Sequence, residues 1–135
     1  MITVTVNYLA ILVAAVAMMA VGFVWYSQPV FGKMWMGLIG KSMDDLKKGA
    51  AKAYGLSFVA ALIECYVLAH FVAYAGATTV VTGVITGLWV WLGFVATILF
   101  SEFLFPGRSM KLYILQIAYH LVELVVAGAI LAVWR

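Results

Sequence analysis

Four apolar runs, roughly Val4–Tyr26, Ala53–Ala75, Val80–Phe105 and Met110–Trp134, take up most of this 135-residue chain. Each exceeds the ~20 residues a helix needs to cross ~30 Å of hydrocarbon. Backbone polar groups in lipid must be satisfied internally, so only helices and closed barrels span a bilayer. The runs lack the period-two alternation of barrel strands. With 67% hydrophobic and 10% charged residues, a soluble domain of this size could not cover its apolar surface. The expectation is an all-α membrane protein: one domain over residues 1–135 with four transmembrane helices. The first run reads as a retained span, because no Lys or Arg precedes it and its apolar core is too long for a signal peptide.

The charge is net +3 and unevenly spread. Lys33, Lys41, Lys47, Lys48 and Lys52 lie between the first two runs; Arg108 and Lys111 lie between the last two. The loop around Gly76–Thr79 is uncharged, and Arg135 alone follows the last run. By the positive-inside rule both basic connections are cytoplasmic and both termini face outward. Anionic lipid headgroups are partner enough for these cations, so no nucleic acid is expected. Cys65, the single cysteine, falls within a span and reads as a small core hydrophobe.

Trp25 and Tyr26 read as an inner aromatic belt, and Pro29 ends or bends the first span. Phe31, Met34, Trp35, Leu38 and Ile39 then recur at helical spacing. That pattern predicts a short amphipathic helix over residues 31–40, lying on the inner leaflet. Ser42 followed by Asp44 and Asp45 is an N-cap pattern, which starts the second helix near Met43; Ser109 plays the same part for the fourth. YSQPVFGK (residues 26–33) matches FSEFLFPGR (100–108), and YGLSFVAALIE (54–64) matches YILQIAYHLVE (113–123). The order of the matches points to two parallel, repeated helical hairpins.

The chemistry-bearing residues sit inside these runs. Tyr54 and Glu64 are ten residues apart, as are Tyr113 and Glu123. At ~1.5 Å per residue, tyrosines at the inner interface put both glutamates ~15 Å deep, at the bilayer midplane. A carboxylate there costs ~2.5 kcal/mol or more, so both must face protein, share protons or line water. Ser109, Tyr113, Gln116, His120 and Glu123 step by four, three, four and three, forming one seam on the fourth helix. Ser57, Ala60, Ala61 and Glu64 form a matching face on the second. Thr79, Thr82, Thr86, Gly93, Thr97 and Ser101 form another on the third, with GVITG (83–87) a close-packing motif.

Two accounts fit Gln116, His120, Glu123 and Glu64: hydrogen-bonding glue between helices, or a proton- or cation-handling site in which imidazole and carboxyl exchange a proton. Glu102 has Arg108 or Lys111 as its expected partner, an ion pair in one reading and a pore-mouth acid in the other. His70 and His120 lie ~24 Å and ~10 Å from the inner tyrosines, so they cannot offer one haem two ligands. Trp89 and Trp91 read as packing, or as the lining for a flat lipophilic ligand such as quinone or haem. No nucleophile–base pair, phosphate loop or metal cluster is visible, so no enzyme, cofactor or metal is expected.

VNYLAILVAA, WYS…FGKMWM, AKAYGLSFVAAL, GLWVWLGFVAT and YHLVE…GAILAVW together resemble the bacterial membrane family called domain of unknown function 1761. The likeness runs along essentially the whole chain, with Gln28 intervening before Pro29. It implies a small four-span protein of a bacterial inner membrane, and no activity. The functional expectations are a homo-oligomeric transport or permeation protein with midplane acids, an accessory subunit of a larger membrane complex, or a binder of a flat lipophilic ligand.

Overall fold

The computed structural model describes residues 2–134; Arg135 lies outside the described residues. Its elements run α1 (Tyr8–Trp25), a π-helical turn (Gln28–Gly32), α2 (Lys33–Ile39), α3 (Met43–Lys47) and α4 (Ala50–Tyr74). Then follow α5 (Val80–Trp91), a second π-helical turn (Leu92–Ala96), α6 (Thr97–Leu104) and α7 (Met110–Val133). Among the described residues there is no strand. Four helical stretches, with α5, its π turn and α6 counted as one, are long and apolar enough to cross a membrane.

Local chemistry sets the helix ends. Asn7 caps α1, its side chain accepting from the Leu9 and Ala10 amides at 3.1 Å, so the span begins four residues later than the apolar run does. Ser42 and Asp45 form a reciprocal capping box, and Ser109 accepts from the Leu112 amide. The second span is not continuous from Met43, as the sequence pattern predicts. Gly49, with φ +70°, separates the short α3 from α4.

The last helix, α7, is the axle of the bundle and packs against α1, α4 and α5. Its contact with α5 is backbone on backbone. A Cβ placed on Gly83 would collide with the Gly128 carbonyl, and one on Gly87 would sit 2.5 Å from the Leu124 oxygen. Small residues thus let the two helices approach where lipid provides no hydrophobic drive between them. Two indoles add polar anchors: Trp25 Nε1 donates to the Leu115 carbonyl at 3.2 Å, and Trp91 Nε1 to that of Ile117 at 2.7 Å. Trp89, by contrast, is 68% exposed.

The π turn at Leu92–Ala96 revises the expected third polar face. A π turn inserts one extra residue into the helical phase. Gly83, Thr86 and Gly87 are buried above it, Ala96 within it and Phe103 below it. Gly93, Thr97 and Ser101 are rotated outward. The Thr97 hydroxyl donates to the Gly93 carbonyl of its own helix instead, while Tyr113 donates to the Ala96 carbonyl at 2.7 Å.

On α2, Trp35, Leu38 and Ile39 pack against Phe103, Leu112 and Tyr113. The apolar face of this helix therefore docks on the bundle. The matched segments around Gln28 and Glu102 differ in backbone, π-helical in the first and α-helical in the second.

Candidate functional site

Glu123 is 4% exposed, midway along α7. Its carboxylate accepts a 2.6 Å hydrogen bond from Nδ1 of His120, one turn earlier on the same helix. The imidazole is the more open partner, with 34% of its side-chain surface exposed. Spacing of three along a helix suffices to bring the two groups together. An ion pair removed from water needs such close geometry to offset its desolvation.

Glu64, half-buried on α4, lies within electrostatic range of both Glu123 and His120. Cys65 follows it, fully buried, its thiol donating to the Met18 sulfur at 3.6 Å. The acids of two spans and one imidazole thus share a region of low dielectric, where charges interact more strongly than in water. Among the described residues, every buried side-chain nitrogen and oxygen has a partner, and no group of three His, Cys, Asp or Glu could hold a metal ion.

A cavity of about 570 Å³ reaches this cluster only through Tyr119; Glu64, His120 and Glu123 are not in its lining. Its walls come from the end of α1, the start of α4 and the α2–α3 segment, with Tyr119 of α7 reaching in. It lies at the end of the bundle that carries the lysines. Tyr119 joins cavity to cluster: it lines the space, interacts with Glu123, and packs on Tyr26 with ring centroids 5.3 Å apart. Gly22 makes room for it, since a Cβ there would come 3.2 Å from the Tyr119 hydroxyl. Tyr26 also stacks on Trp35 at 4.8 Å. Ser57 contributes to the same cavity.

The other candidate residues fall outside the cluster. Gln116 is half-buried one turn before His120. Glu102, Arg108 and Lys111 are exposed near the junction of α6 and α7. Among the described residues the ion pair within 4 Å is His120–Glu123, and Arg108 lies over the Phe103 ring at 5.6 Å from its centroid rather than beside Glu102. His70 donates Nδ1–H to the Tyr66 carbonyl of its own helix at 2.8 Å. Tyr119 and Tyr26 were invisible as site residues from sequence. An aromatic residue within an apolar run carries no local signal, although Tyr119 does stand four residues before Glu123, on its face of α7.

Four helices long and apolar enough to cross a membrane, one of them carrying a part-buried imidazole–carboxylate pair, fit a multi-pass membrane protein. The chain belongs to the family described as Protein of unknown function (DUF1761), whose model matches residues 9–132. No curated protein matches it. No solved structure matches it.

Proposed function

We propose that this protein is a small transport or permeation protein in which Glu123, His120 and Glu64 handle protons or cations. The observation that supports this reading is Tyr119, which touches both the open cavity and the buried carboxylate. Intramembrane acids are expensive and, when they adjoin a cavity, serve as ion or proton stations. In this proposal both termini face outward, the lysine-bearing segments lie in the cytoplasm, and the protein works as a homo-oligomer.

The test is proton flux into reconstituted vesicles carrying an internal pH dye, driven by a potassium diffusion potential. Glu123→Gln and Glu64→Gln each lower the flux if the reading holds. Unchanged flux, with only reduced thermal stability, favours the second reading, an accessory subunit of a larger membrane complex. That reading draws on the first turns of α4, where Ala51–Ser57 are all exposed and small residues leave room for another helix.

A further inference from the structure

We propose that the cavity at the lysine-bearing end binds a lipophilic organic cation in exchange for a proton of the Glu64–His120–Glu123 cluster. This rests on the transport reading and names its solute class. Five aromatic side chains line the space: Phe23, Tyr26, Trp35, Tyr54 and Tyr119. They are clustered, with Phe23 on Tyr54 at 5.2 Å, Tyr26 on Trp35 at 4.8 Å and Tyr26 on Tyr119 at 5.3 Å. Ring faces attract a cation within ~6 Å of their centroids. Three methionines complete the apolar wall, and their flexible thioethers adapt to irregular guests. The volume of about 570 Å³ falls within the ~300–1,000 Å³ usual for small-molecule sites.

Behind the aromatic wall stand the acids that select sign. Tyr26 and Tyr119 both lie within electrostatic range of Glu123. The titratable groups facing Glu123 are His120 and Tyr119 on α7, Glu64 and Cys65 on α4, and Tyr26 at the end of α1; α5 has none. Lys47 lines the cavity but is exposed, and Asp44 stands one turn before it on α3, so solvent and a neighbouring acid weaken its repulsion. When the cation enters, the Glu64–His120–Glu123 cluster releases one proton to water. The cluster's net charge falls by one, which balances the guest's charge, and no bond to the guest forms.

The test is calorimetric titration of the purified protein in nonionic detergent with tetraphenylphosphonium, in weak buffer across pH 5–9. The expected result is proton release on binding, with affinity rising by up to about tenfold per pH unit where one proton is exchanged. Glu123→Gln removes the pH dependence. Trp35→Leu and Tyr119→Leu each weaken binding by about tenfold, while the exposed Glu102→Gln leaves it unchanged. Absence of binding, binding without pH dependence, or preference for tetraphenylborate anchored by Lys47 overturns the proposal. Glu123-dependent proton flux without cation binding would refute this inference and leave the transport reading standing. Binding with proton release but no flux would leave the site and remove the transport reading.

Discussion

Glycine-to-alanine substitutions should have opposite signs at different positions in this bundle, and the contact between α5 and α7 says where. At Gly87 the added methyl would lie 2.5 Å from the Leu124 oxygen, and at Gly83 it would lie 2.7 Å from the Ala132 Cβ and closer still to the Gly128 carbonyl. Comfortable contact is ~3.5 Å, so the helices must part by roughly 1 Å, a gap that forfeits a quarter to a half of each dispersion contact along the seam. Overpacking of this kind costs about 1–3 kcal/mol. At Gly55 on α4 and Gly37 on α2 a Cβ would meet nothing within 4 Å, so only the helix-propensity gain of ~0.5–1 kcal/mol remains. Equilibrium unfolding in mixed micelles with rising dodecyl sulfate fraction, followed by circular dichroism, measures the difference. Gly83→Ala and Gly128→Ala should unfold at lower dodecyl sulfate than the parent, and Gly55→Ala at equal or higher. Indistinguishable curves for Gly83→Ala and Gly55→Ala would refute the close approach.

Other expectations use the same unfolding measurement. Trp91→Phe and Tyr113→Phe, which each remove a 2.7 Å donor to a backbone carbonyl, should cost about 0.5–1.5 kcal/mol, whereas the exposed Trp89→Leu should be neutral. His120→Phe strips Glu123 of its hydrogen-bond partner and should cost about 1–3 kcal/mol; adding Glu123→Leu should recover part of that, and no recovery would deny the coupling of the two groups. The capping box has its own pH signature. The Ser42 backbone amide and then its hydroxyl donate to Asp45 and hold that carboxyl below the usual carboxylate range. A depressed value means that the cap's contribution is present above the ordinary carboxylate range and lost as pH falls through the lowered one. Protection of the Ser42 and Asp45 amides against hydrogen exchange should therefore fall on acidification, and Asp45→Asn should abolish that dependence.

The spans were legible because length and hydrophobicity are local properties, and so were the caps at Ser42 and Ser109. The inward turn of Glu123 followed from cost alone, since lipid would not tolerate it. GVITG was readable as a close-packing motif, yet its partner Gly128 was not, because the pairing is made across the fold. The threonine face of the third span failed from Gly93 onward for a definite reason: a surplus residue in a π turn shifts the phase and leaves no mark in the apolar pattern. Trp25 was read as a belt residue, but its indole reaches the Leu115 carbonyl, a destination that exists only once α7 is in place. Tyr119 became a site residue in the same way, through Tyr26 and Gly22 on another helix.

The π turn between α5 and α6 has a mechanical corollary. Above it, Gly83, Gly87 and Trp91 engage one stretch of α7; Ala96 at its end and Phe103 below it engage another. A surplus residue of this kind can migrate along a helix by exchanging hydrogen-bond partners one at a time, without melting any turn. Each such step would twist the lower segment about its own axis like a camshaft. The Tyr113 bond to Ala96 and the packing of Phe103 on α2 would have to be remade, while the glycine seam above stayed locked.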